Sequence, residues 1–117
     1  MIATGADEAA MEAAIGAVKA QIAFYGSTPA YRVVLDVHGW GELQPVLRDL
    51  SRSGEWSAMA DVVHDDLLHA VAVVAPPDGV AAEIHRRYGT VLDRVALNAP
   101  YSVDADVWAQ IAADIRA

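Results

Sequence analysis

With 117 residues, 55% of them hydrophobic and 21% charged, the chain has the size of one domain and enough apolar surface for a core, so it is neither a disordered chain nor long enough for a large enzyme architecture. Its net charge of −8, with seven arginines and one lysine scattered singly apart from Arg86-Arg87, excludes a nucleic-acid partner because no basic stripe exists to meet a phosphate backbone. The absence of cysteine removes disulfides, thiolate nucleophiles and sulfur-ligated zinc.

In chain order, Met1-Ile2-Ala3 is too short to be more than the tail of a strand. Residues 6–25 predict a helix, with Met11, Ile15, Val18, Ile22 and Tyr25 recurring at spacings of four and three and alanine filling most gaps. Thr4 with Asp7 resembles an acidic capping box, and Gly26 supplies the stop. Ser27 or Thr28 before Pro29 starts a second helix that runs to His38 and stops at Gly39. Gly41 to Ser53 forms a third, with Leu43, Val46, Leu47 and Leu50 on its inner face, and Glu55 to His69 continues as one bent helix or two short ones. Ala70 to Ala75 reads either as a helical extension, the preferred reading, or as a buried strand, since periodicity does not separate the two. Pro77 to Tyr88 is helical up to Gly89, and Val91 to Leu97 is the best strand in the chain. Asp104 caps a last helix with Val107, Trp108, Ile111 and Ile115 on its core stripe.

No apolar run approaches the roughly 20 residues needed to cross a bilayer, and the N-terminus lacks the positive n-region of a secretory signal, so a soluble cytoplasmic location is expected. His64, Asp65, Asp66 and His69 suggest a metal, but His64 and His69 stand five residues apart and point about 140° apart on a 3.6-residue helix, so no metal site is expected. Gly39-Trp40-Gly41 lacks the preceding strand and further glycine of a dinucleotide fingerprint. No Ser/His/Asp set converges from separate elements, which leaves the catalytic residues unassigned.

The segments IAFYGSTPAYRVVLDVHGWGELQ, LSRSGEW, VVAPPDGVAAEIHRRYG and DRVALNAPY together resemble the C-terminal portion of luciferase-like, flavin- or deazaflavin-dependent oxidoreductases, above all the actinobacterial branch that uses coenzyme F420. FYGSTPAYR followed by HGWGEL carries most of the resemblance. It implies an α/β fold, a fragment of a TIM barrel, which as a stand-alone chain of one domain is predominantly helical with one or two short strands. It implies coenzyme F420, with FMN as the alternative, and equally that this chain by itself takes no cofactor and lacks activity, because the earlier barrel strands are missing. Relatives favour Gly-Thr-Pro-Glu-Glu where this chain has Ala75-Pro76-Pro77-Asp78-Gly79, a departure that weakens the following helix by about 1–2 kcal/mol.

Within a full barrel, the resemblance places Ser27, Thr28, Arg32, Asn98 and Tyr101 as cofactor-binding candidates, and Tyr25, Tyr31, His38 and Trp40 as substrate-binding ones. Each also has a plain structural role. Tyr25 and Tyr31 pack between helices, Ser27 and Thr28 cap, Arg32 pairs with Asp36 at i,i+4, His38 is favoured by a helix C-terminus, and Asn98 belongs to an ordinary Asn-Ala-Pro turn. A partial barrel also leaves strand edges and apolar surface unpaired. The alternative function is therefore a non-catalytic helical protein that self-associates or docks on a companion subunit.

Overall fold

A computed structural model describes all of residues 1–117. The elements run β1 (Ile2–Ala3), α1 (Glu8–Gly26), a 3₁₀ turn (Pro29–Tyr31), α2 (Arg32–Asp36), α3 (Leu43–Arg52), α4 (Trp56–Val62), α5 (Asp65–Val71), β2 (Val73–Val74), α6 (Val80–Tyr88) and α7 (Ala105–Arg116). The chain is thus mostly helical with two short strands. It divides into two compact units, one of Met1–Val18 with His69–Ala117, the other of Lys19–Leu68.

The first unit is built on a two-stranded parallel sheet in which Ile2 faces Val73 and Ala3 faces Val74. Parallel neighbours cannot be joined by a tight turn, so the long stretch between β1 and β2 is a crossover rather than a hairpin. Ile2, Val73, Val80, Ile84 and Ile111 form the buried cluster, with Tyr88, Leu97, Val107, Trp108 and Ile115 packed around it. Ile2 and Val73 are register partners across the sheet, and on α6 Val80, Ile84 and Tyr88 recur four apart, the spacing that brings side chains to one face. Arg87 fastens the sheet's approach: its Nη1 donates to the carbonyls of His69 (2.7 Å) and Ala72 (3.0 Å), satisfying acceptors at the end of α5.

The second unit is helical throughout, with Leu35, Leu47, Met59, Val63, Leu67 and Leu68 buried. Gly26 lies so close to α3 that a Cβ there would sit 2.9 Å from a Leu47 methyl, which fixes a glycine at the end of α1 by proximity rather than by backbone conformation. The stops at Gly39 (φ 78°) and Gly54 (φ 71°) do need glycine's freedom at positive φ.

Several expectations change. Val91–Leu97 is not a strand: the amides of Val91 and Leu92 bond back to the Tyr88 carbonyl (3.0 and 2.9 Å), and the backbone bond to β1 comes just after the segment, where Ile2 N–H donates to the Asn98 carbonyl (2.9 Å). Its β-branched composition suits a pleated surface, but a strand exists only with a neighbour along its length. Ala70–Ala75 divides, helical to Val71 and extended at Val73–Val74, because the Met1 and Ala3 carbonyls accept from Val73 (3.0 Å) and Ala75 (3.2 Å). The cap of α1 is Asp7, whose Oδ1 accepts from Ala10 N–H at 2.7 Å, and not Thr4. Glu55–His69 forms two helices, and the bond of Leu67 N–H to His64 Nδ1 (3.1 Å) starts the second. On α3, Val46 is exposed and Gln44 is buried in its place. Asp104 caps α7 as expected, accepting from Asp106 N–H at 2.8 Å.

Candidate functional site

The candidate residues fall into two groups, one in each unit. In the Lys19–Leu68 unit, the turn from α1 into α2 holds Tyr25 between Phe24 and Tyr31, with ring centres 5.8 and 5.3 Å away and both contacts edge-on. Edge-to-face geometry sets each ring's positive rim on its neighbour's negative face. All three rings remain about half exposed. Ser27 is committed to the turn: its hydroxyl donates to the Phe24 carbonyl (2.7 Å), and its carbonyl accepts from Gln44 Nε2 (3.0 Å). Thr28 precedes the 3₁₀ turn, and its hydroxyl makes no capping bond there. Arg32 Nε lies 3.6 Å from Asp36 Oδ1, with both side chains about half exposed. Gly41 closes on this pair, since a Cβ there would overlap the Asp36 carboxylate.

His38 stacks on Trp40 (4.9 Å between centres, 18° between planes), and His64 meets the same indole edge-on (4.8 Å, 78°). This layered arrangement joins two loops that the sequence separates by more than twenty residues. His64 had been weighed only as a metal ligand; its place beside Trp40 follows from packing that no local spacing encodes.

In the other unit, Tyr101 lies at the carboxyl end of β1, while the Asn98 carbonyl meets the strand at its amino end, on Ile2 N–H. The Tyr101 hydroxyl accepts from Thr4 N–H (2.8 Å) and stands 3.1 and 3.3 Å from the Ile2 and Thr4 carbonyls, either of which can take its proton. Burial pushes this phenol above its ordinary pKa, and the bond from the Thr4 amide opposes that shift. Beside it, Thr4 Oγ1 is buried with no hydrogen-bond partner. Such a group costs roughly 1–3 kcal/mol unless something pairs with it. Thr4 is the residue that sequence reasoning missed, because a threonine followed by Asp7 looks like a helix cap. An open groove of about 430 Å³, lined in part by Tyr88, Leu92, Arg94, Leu97 and Ile115, lies elsewhere on this unit and contains none of the candidate residues.

Whether these groups can hold a cofactor turns on which donors are free. The Thr28 hydroxyl makes no capping bond and Arg32 is half exposed beside Asp36, but Ser27 and Tyr101 spend their hydroxyls on backbone carbonyls and amides. Within either unit the residues present do not compose a cofactor cradle.

A parallel strand pair joined by a long crossover is a connection of the α/β kind. Residues 1–94 match the family model described as luciferase-like monooxygenase, and the chain belongs to that family. It is 55% identical over 95 residues to the uncharacterized proteins Rv1360 of Mycobacterium tuberculosis (strain ATCC 25618 / H37Rv) and Mb1395 of Mycobacterium bovis. That alignment covers 81% of this chain and 28% of each relative, so the chain spans little more than a quarter of the curated relatives it matches. No solved structure matches it significantly. No helix is long and apolar enough to cross a membrane.

Proposed function

We propose that this chain corresponds to the C-terminal portion of a coenzyme F420-dependent member of the family, acting in the cytoplasm, and that the 117 residues alone do not catalyse. Proteins of this family generally use a flavin or coenzyme F420, with FMN as the alternative here. The observation that carries the reading is the buried, unpaired Thr4 hydroxyl beside Tyr101 at the carboxyl end of β1, the end from which parallel α/β barrels project their functional groups. In a complete barrel, Thr4 offers a hydroxyl to a polar ligand, and Tyr101 holds the backbone of that strand end in place. Thr28 and Arg32 supply donors for an anionic tail, and Tyr25, Tyr31, His38 and Trp40 supply ring faces for a substrate, whereas Asn98 meets the amino end of β1 and is left to its turn.

The test is a chimera in which residues 1–94 replace the matching segment of Rv1360. The folded chimera is expected to bind F420 saturably, read by its absorbance and fluorescence, and to bind it at least severalfold more weakly when Thr4 is changed to Val. A folded chimera that takes up neither F420 nor FMN overturns the reading. Saturable binding of either cofactor by the isolated 117-residue chain overturns the statement that it does not act alone.

A second reading, a non-catalytic helical protein that buries apolar surface by association with itself or a companion subunit, is favoured by Val33 on α2 and Val37 just past its end, which are 64% and 78% exposed.

A further inference from the structure

We infer that the groove between α6, α7 and residues 91–97 is a binding site for a small amphipathic carboxylate, an apolar body with one anionic head. It holds none of the residues placed toward a cofactor, and three observations carry it. The first is shape. The groove measures about 430 Å³, within the range of ordinary small-molecule sites, and its floor is apolar, with Ile84 buried and Tyr88, Leu97 and Ile115 half-buried. A second cavity of about 260 Å³ shares Ile84, Tyr88 and Leu97 with it and reaches Ile2 and Val73 at the sheet, so an apolar body has room to extend inward.

The second observation is charge. The chain carries −8, yet Arg94 and Arg116 line this groove against a single carboxylate, Asp93. The ion pairs of the protein are Lys19 with Asp65, Arg32 with Asp36, and Glu83 with Arg86 and Arg87, so neither groove guanidinium is neutralised by a partner. A guanidinium presents a planar fork of donors that a carboxylate meets with two parallel bonds, and low-dielectric walls focus that attraction. His85 forms part of the wall without competing for the anion: its Nε2 donates to the Ile115 carbonyl (2.9 Å), which can only accept, and so ties α7 to α6.

The third is the backbone of residues 91–97. The Val91 and Leu92 amides bond to the Tyr88 carbonyl, but those of Asp93 through Leu97 have no backbone partner, and Leu92 and Val95 stay 51% and 40% exposed at the groove. A segment of strand composition that joins no ladder leaves N–H groups for a ligand's head and side chains for its body. Val95, Leu97 and the α7 residues Ile115 and Arg116 also lie beyond residues 1–94, so one side of the groove is built by a part of the chain outside the family match.

The test is a titration of the 117-residue chain with anilinonaphthalene sulfonate, an aromatic body with one anionic head whose fluorescence rises in apolar surroundings. Saturable binding of a single dye per chain is expected. Arg94→Glu and Arg116→Glu, both at exposed positions, should keep the helical circular dichroism and weaken the dye by about tenfold each, through a lost pair and the like charge that replaces it. Arg48→Glu, the same change of net charge on the exposed surface of α3, should leave the dye's affinity as it is. Naphthoate should displace the dye, and the corresponding naphthyl alcohol, the same body without the charge, should need a concentration about tenfold higher. Binding that does not saturate overturns the inference. So does an equal loss from Arg48→Glu, or equal competition by the alcohol and the carboxylate. The chimera built from residues 1–94 lacks this chain's α7, so its F420 titration and this one fail separately.

Discussion

In the unit formed by Met1–Val18 and His69–Ala117, several polar bonds tie residues far apart in the chain, beside local ones such as Glu83 to Arg86: Tyr101 to the backbone of Ile2 and Thr4, Arg87 to the carbonyls of His69 and Ala72, His85 to the Ile115 carbonyl at 2.9 Å. In the Lys19–Leu68 unit they are mostly local, as in Ser27 to Phe24, Arg32 to Asp36 and Leu67 to His64, with Gln44 to Ser27 and Lys19 to Asp65 as the longer links. Both units leave some apolar side chains in solvent, Val33 and Val34 on α2 in one and Val91 and Leu92 after α6 in the other. A unit held by long-range bonds is specified by few residues whose loss is costly. A unit held by local bonds tolerates changes on its outside and depends on its core leucines.

That contrast can be broken most strongly at Leu47, which is fully buried. Leu47→Ala is expected to cost about 2–5 kcal/mol in a urea titration, with amide protection lost first among α3 and α4. An effect below about 1 kcal/mol would mean that the helical unit is loosely packed. Next in size, Tyr101→Phe strands the Thr4 amide and should cost about 1–3 kcal/mol, with protection lost around β1. Its neighbour behaves oppositely: Thr4→Val removes an unpaired buried hydroxyl while keeping the shape, and thermal denaturation should show a gain of about 1 kcal/mol. If both substitutions destabilise equally, the Thr4 hydroxyl has a partner and the reading of that strand end is wrong.

The smallest effect concerns acid. Hydrogen bonds from Arg86 (2.7 and 2.8 Å) and then Arg87 (2.6 Å) hold the Glu83 carboxylate well below its usual range, at about 2. A depressed folded-state pKa means stabilisation that is present above the ordinary value of 4.5 and is lost as the pH falls from there towards about 2. The melting temperature of Glu83→Gln should therefore lie below wild type at pH 6 and converge with it near pH 2. A constant offset across that range would assign the difference to packing.

The candidate site was legible in the sequence only in part. The Phe24–Trp40 stretch stood out because helix cores do not require two tyrosines, a proline and an arginine there, and the i,i+4 spacing of Arg32 and Asp36 foretold their pairing. Thr4 was hidden by its likeness to a cap. Gln44 was hidden by its polarity, which the Ser27 carbonyl satisfies from seventeen residues away.

The sequence by itself determined the helices, the glycine stops at Gly39 and Gly54, the Asp104 cap and the family, because these depend on spacings of three or four residues, on backbone conformations few residues tolerate, or on motifs read in order. The tertiary structure alone decided which apolar run became a strand. Val73–Val74 pairs because Met1 and Ala3 lie alongside, and Val91–Leu97 has no such neighbour along its length. It also decided that Tyr101 bonds the end of β1 while the Thr4 hydroxyl goes unpaired, since a hydroxyl's role is fixed by the groups that surround it in space, whatever its neighbours in the chain.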